Sequence, residues 1–127
     1  MLPRSLNEIY ENLRDYAVMV NASAPDTILG CCALHVTWND LAEIKSLAVS
    51  EAAQGRGVGR QLVEHCVAEA RELMISRVFA LSYKPGFFEK LGFVRIDKEQ
   101  LPRKIWGECV NCSKFMECDE TCLIKQL

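Results

Sequence analysis

The chain has 127 residues, half of them hydrophobic and a quarter charged, with a formal net charge of −2. That size and balance suit one domain with a packed core and exclude wholesale disorder. The slight negative charge argues against a general affinity for nucleic acid, and no apolar run approaches the ~20 residues that a bilayer-spanning helix needs.

The start, MLPRSLNEIYENL, has no continuous apolar stretch ahead of a small-residue cleavage site. No signal peptide is expected, and the default compartment is the cytoplasm. Ser5 followed by Glu8 is a capping-box pattern, which predicts a helix from Leu6 with Leu6, Ile9, Tyr10, Leu13 and Tyr16 at helical spacing. Residues 16–20 (YAVMV) read as a strand and residues 21–27 (NASAPDT) as a hairpin loop. Residues 28–38 form a long strand candidate, and Asn39 and Asp40 a second turn. The run LAEIKSLAV, residues 41–49, alternates and then becomes continuously apolar, as in a strand that begins half exposed and ends buried.

From 57 to 74 the pattern is helical. Val58, Leu62, Cys66, Val67, Ala70, Leu73 and Met74 share one face, and Arg60, Gln61, Glu64, Arg71 and Glu72 lie largely on the other. Residues 77–82 read as a short strand. A brief helix after Pro85 carries Phe87, Phe88 and Leu91 and ends at Gly92. Residues 93–97 are the next strand. The order predicts an α/β domain with antiparallel hairpins. Strand 41–49, helix 57–74 and strand 77–82 form a βαβ unit, whose right-handed crossover makes its two strands parallel. His35 and His65 lie on patterned elements and read as structural residues, not ligands.

Between strand and helix stands QGRGVG, residues 54–59. The missing side chains of Gly55, Gly57 and Gly59 let a ligand approach the main chain. The first N–H groups of the helix have no intrahelical partner, and with the helix dipole they suit a phosphate. Arg56 and Arg60 add positive charge at the same end. The run lacks the Gly-Lys-Ser/Thr of a nucleotide-binding P-loop, and its G-x-G-x-G spacing is not the dinucleotide fingerprint.

QGRGVG matches the Q/R-x-x-G-x-G/A signature of the GNAT acetyltransferase superfamily, and FFEKLGF (87–93) resembles that superfamily's FYEKLGF landmark. At finer grain, LPRSLNEIYENLRDY, LAEIKSLAV and LSYKPGFFEKLGFVRIDKEQLPRKIW resemble the acetyltransferase domain of bacterial N-acetylglutamate synthases. The resemblance implies a mixed, mostly antiparallel sheet flanked by helices, in which strands 41–49 and 77–82 splay apart around a thioester. It also implies acetyl-coenzyme A as co-substrate and no metal requirement. The amides of Gln54, Gly55, Arg56, Gly57, Val58 and Gly59, with Arg60, would hold the pyrophosphate, and Phe88 would lie beside the cofactor. The ends of Leu47, Ala48 and Val49 would pair with the pantetheine arm as an added strand. The acceptor implied is the α-amino group of L-glutamate, at the first step of arginine synthesis. The alternatives are another amine or a protein amino group, or an acetyl-CoA-binding module without turnover.

The chemistry asks for a base, because the acceptor arrives as an ammonium ion. Glu43 corresponds to the base of similar synthases, although a glutamate on such a strand is ordinarily a solvated carboxylate. A backbone N–H near Leu47, Ala48 or Val49 suits the oxyanion. The tyrosine that commonly protonates the leaving thiolate is here Phe88, which cannot donate, so Ser82 is expected in that role with Tyr83 as the second choice. Arg4 matches the acceptor-binding part of similar synthases, and its fork suits a carboxylate. Lys45 and Lys84 are weaker candidates.

The usual fold places a strand and a helix before the helix at residue 6, and this chain starts too late to contain them. Their loss would expose the edge of strand 16–20, so a homodimer is expected. Residues 1–107 read as the acetyltransferase-like domain and 108–127 as a cysteine-rich tail packed on it. Cys109 and Cys112 have the spacing of one corner of a zinc site, but Cys118 and Cys122 do not complete a usual one. Cys31, Cys32 and Cys66 read as buried free thiols.

Overall fold

The computed structural model describes residues 5–97, 100 and 120–127. Ser5 is extended and accepts a hydrogen bond at 3.1 Å from the Glu8 N–H, and helix α1 (Leu6–Glu11) follows as its cap predicts. The helix gives way to a 3₁₀ turn at Leu13–Asp15. Its apolar stripe is not buried: Leu6, Tyr10 and Leu13 are 72, 71 and 55% exposed.

Strands β1 (Tyr16–Asn21) and β2 (Ala24–Trp38) form an antiparallel hairpin. Asn21 Oδ1 accepts from the Ser23 N–H at 2.9 Å, which closes the turn in two residues and starts β2 earlier than position 28. Pro25 falls in the exposed first part of β2, near an irregular register where proline is tolerated.

Strand β3 (Leu41–Val49) pairs antiparallel with β2. Helix α2 (Val58–Glu72) crosses over to β4 (Arg77–Ser82), which runs parallel to β3, as the βαβ pattern requires. The helix buries Val58, Leu62, Val63, Cys66, Val67 and Ala70. Leu73 and Met74, expected on that face, are 54 and 88% exposed. The helix ends before them. Met74 turns to φ +62°, its N–H donates to the Arg71 carbonyl, and the Ile75 N–H donates to the Ala70 carbonyl. This is a Schellman closure, and Ile75 takes the core place instead.

Helix α3 (Pro85–Glu89) has proline in its first turn, and Gly92 at φ +92° ends the excursion. Strand β5 (Val94–Ile96) follows. The last strand, β6 (Thr121–Gln126), was not foreseen. It inserts between β4 and β5, antiparallel to both, and gives the order β1-β2-β3-β4-β6-β5. The sheet is therefore mostly antiparallel with a single parallel pair, as expected.

Alternation along the strands gives each face its own core. Toward α2 lie Cys32, Leu34, Ala42, Ile44, Val78, Ala80 and Leu123, joined by Phe88 and Phe93. The other face gathers Leu41, Phe79, Cys122 and Ile124. Among the described residues no helix is long and apolar enough to cross a membrane.

Candidate active site

The parallel register of β3 and β4 covers three pairs: Leu41 with Arg77, Ala42 with Val78, and Glu43 with Phe79. Beyond them β3 continues to Val49 and β4 to Ser82 without further pairing to each other. The strands part at Glu43, and among the described residues no strand pairs with residues 44–49 on the side of the opening between them.

A bulge shapes that edge. Cys31 pairs with Ala48 and Ala33 with Lys45, so Ser46 and Leu47 together oppose Cys32. Ser46 sits at φ +58°, a left-handed conformation that side chains other than glycine rarely adopt. It is held on both sides: its hydroxyl is 3.2 Å from the Tyr16 hydroxyl, and its carbonyl accepts from the Cys31 thiol at 3.4 Å. Burial pushes the Cys31 thiol up, so it stays protonated and donates. The bulge also resets which side chains face α2. Leu47 and Val49 pack on that core, where unbroken alternation from Ile44 would have sent Ser46 and Ala48.

Gly30 makes the close approach of these elements feasible. A Cβ there would stand 2.8 Å from the Ala48 carbonyl and 3.0 Å from Leu62 Cδ1. A glycine inside a strand signals such crowding, so this residue was legible in the sequence and overlooked. The chain then leaves β3. The Ser50 N–H donates to the Leu29 carbonyl, and Gln54 Nε2 to the Val49 carbonyl at 3.4 Å.

The glycine turn divides its labour. Gly55 and Gly57 have φ of +82° and +78°, and a Cβ on either would meet nothing within 4 Å. Backbone conformation selects glycine there, and the space above both is open. Gly57 is the N-cap of α2 and supplies no side-chain cap, and the first turn carries no acidic residue. The outward N–H groups and the dipole of this helix thus meet solvent beside exposed Arg56 and Arg60. Arg60 also pairs with Glu64 at 3.1 Å, an exposed contact of little energetic weight. Gly59 differs from the expectation of ligand access. Its missing Cβ makes room for Phe87, whose ring would lie 3.3 Å away.

Phe88 needs a similar correction. It is 5% exposed and stacks edge-on with Phe87 and Phe93 at centroid distances of 5.1 and 5.3 Å. It is a core residue, and Phe87 is the ring that meets the glycine turn.

Glu43 is 5% exposed, at the last paired position before the strands part. It lies on the face opposite α2, opposite His35 on β2 and Phe79 on β4. Ser82 ends β4 with the alternation of Val78 and Ala80, hence toward the α2 side. The carboxylate and this hydroxyl therefore flank the opening from opposite faces. The Ser82 hydroxyl accepts from the Lys84 N–H at 2.9 Å, which leaves its own proton to donate elsewhere. Tyr83 is 45% exposed, and Lys45 is half-buried opposite Ala33.

Arg4, Cys109, Cys112 and Cys118 lie outside the described residues. Cys122 is buried in β6 among Leu41, Phe79 and Ile124, so it packs as a small hydrophobe and not as a ligand on a free tail. Among the described residues no three metal-ligating side chains cluster.

A turn that offers uncapped helix amides to an anion, beside a strand edge that no described strand pairs and a buried carboxylate, suits a phosphate-bearing ligand. The profile of the Acetyltransferase (GNAT) family matches residues 2–93. An uncharacterized N-acetyltransferase of Chlorobaculum tepidum is 43% identical over 127 residues, all of this chain and 80% of that protein. An amino-acid acetyltransferase of Mycobacterium tuberculosis is 33% identical over 108 residues, 85% of this chain and 62% of that protein. Among solved structures, the N-acetylglutamate synthase of Neisseria gonorrhoeae complexed with coenzyme A and N-acetyl-glutamate superposes with a TM-score of 0.86 at 27% identity, covering 100% of this chain and 29% of that one.

Proposed function

The chain belongs to the acetyltransferase (GNAT) family as an N-acetyltransferase domain, and on that premise we propose that it transfers acetyl from acetyl-CoA to the α-amino group of an amino acid, L-glutamate first. The reading is carried by one juxtaposition: the uncapped start of α2 stands at the end of the strand that parts from β4 just after the buried Glu43. The relatives named as amino-acid acetyltransferase and N-acetylglutamate synthase support the choice of acceptor, and with it a place in arginine synthesis.

In this reading the amides of residues 54–59 and the guanidinium groups of Arg56 and Arg60 hold the diphosphate. The free edge of Leu47, Ala48 and Val49 lies along the pantetheine arm. Glu43 takes a proton from the incoming ammonium. The free amine attacks the thioester carbonyl, the C–N bond forms, and the carbonyl becomes an oxyanion facing an N–H of the bulged edge. The C–S bond then breaks, Ser82, or Tyr83 beside it, donates to the thiolate, and the second proton leaving the attacking nitrogen restores that hydroxyl. Arg4 and Lys45, with Lys84 next, supply positive charge for the carboxylates of glutamate.

A second reading is favoured by Phe88, which fills the core where a hydroxyl donor is common: acetyl-CoA binding without turnover. Incubation with acetyl-CoA and a panel of amines, with free thiol measured, separates the two. Thiol release that depends on glutamate supports the first. Release with other amines alone moves the acceptor, and tight binding without release selects the second.

We further propose a homodimer in the cytoplasm that covers β1. Among the described residues that strand pairs with β2 alone, and Val18, Val20 and Ile28 on this hairpin are 57, 40 and 58% exposed. A monomeric mass by light scattering at working concentration would count against it.

A further inference from the structure

Acetylation of an ammonium ion releases a net proton: RNH₃⁺ and the thioester become the amide, a free thiol and H⁺. If Glu43 is the base, each turnover leaves that proton on a carboxylate only 5% exposed, and it must leave before the next acceptor binds. The register supplies a neighbour. His35 on β2 lies directly opposite Glu43 on β3. Residues so paired project from the same face with Cβ atoms about 5 Å apart. His35 Nδ1 is 2.7 Å from Asp15 Oδ2, and their side chains are 27 and 26% exposed. A line of titratable groups thus runs from the buried carboxylate to the surface.

We propose that His35, oriented by Asp15, carries the proton from Glu43 to solvent. This deepens the acetyl-transfer reading and rests on it. The Asp15 carboxylate accepts from Nδ1–H, which fixes the tautomer and leaves Nε2 as the basic nitrogen. The protonated Glu43 gives its proton to Nε2, directly or through one water. The imidazolium is held by the Asp15 carboxylate, and Nε2 then releases the proton to water, restoring both groups. No electrons move. His35 acts through Glu43 and does not touch the acceptor, and Asp15 positions the ring. The sequence marked His35 only as a structural residue because Asp15, in the turn before β1, and Glu43, its partner on β3, come beside it only in the fold.

The test uses the full chain and whichever amine the wild type acetylates fastest. In His35→Ala and His35→Gln, kcat is expected to fall about tenfold or more, with KM for acetyl-CoA unchanged. Added imidazole restores part of kcat to His35→Ala and none to Glu43→Ala. Asp15→Asn, at the surface, keeps the shape, loses the charge, and lowers kcat severalfold. It carries the test should the His35 variants not fold, as judged by thermal melting and coenzyme A binding. A kcat within about twofold of wild type in the folded variants, or a loss that imidazole does not repair, overturns the relay. No turnover by the wild type with any amine overturns the acetyl-transfer reading with it, whereas wild-type turnover with unaffected variants overturns the relay alone.

Discussion

Strand β3 is two strands in physical terms. Leu41, Ala42 and Glu43 pair with β2 on one edge and β4 on the other, and none is more than 5% exposed. Residues 44–49 keep β2 but lose β4, and they contain the bulge, the left-handed Ser46 and the half-buried Lys45, Leu47, Ala48 and Val49. The first half is held by apolar packing that tolerates no gap. Among the described residues no strand pairs with the second on the β4 side. One strand therefore stabilises the fold at its start and offers binding groups at its end, and Glu43 stands at the change.

The comparison breaks most visibly in the zipped half. Phe79→Ala empties the centre of the smaller core, where Phe79 is fully buried, and is expected to cost about 3–5 kcal/mol in chemical denaturation. Glu43→Gln, three residues into β3, should behave oppositely. Acetyl transfer falls by about 10²-fold or more while calorimetric binding of acetyl-CoA stays near wild type. Gly57→Ala introduces a side chain at φ +78° and is expected to cost about 1–2 kcal/mol in stability, together with weaker coenzyme A binding by calorimetry. Tyr16→Phe removes one hydrogen bond from the bulge, about 0.5–1.5 kcal/mol in stability, and should lower kcat more than it raises KM.

The smallest effect is chemical. The hydrogen bond that the Cys32 thiol donates to the Cys66 sulfur, with burial behind it, pushes the Cys32 thiol up. Cys32 is thereby kept from the thiolate form, and its peptide should stay unlabelled by iodoacetamide near neutral pH until the protein unfolds, as read by mass spectrometry.

What could be read from the residues was local. Ser5 and Glu8 mark a helix start, QGRGVG marks a turn into a helix, and the change from alternating to helical period marks β3 and α2. Gly92, read as the helix stop, has the left-handed angle that such a stop uses. What escaped depends on partners distant in the chain. The bulge at Ser46 is a property of the β2–β3 pair, so β3 by itself reads as unbroken. Gly59 looked like its neighbours until Phe87 came to lie against it. Leu73 and Met74 fit the helical stripe, but the Schellman turn removed them from it. β6 was hidden because CLI followed by Lys125 and Gln126 alternates too briefly to stand out behind a run of cysteines.

The position of β6 has a consequence for how the molecule is made. Leu81 takes Cys122 as its partner, and Ile96 takes the same residue from the other side. A chain emerging from the ribosome therefore displays one edge of β4 and one of β5 without their β6 partner until residues 121–126 arrive, and such long-range closure slows folding. During that interval Phe79 and Ile96 face solvent on unfinished edges, the period when nascent copies are most prone to adhere to one another.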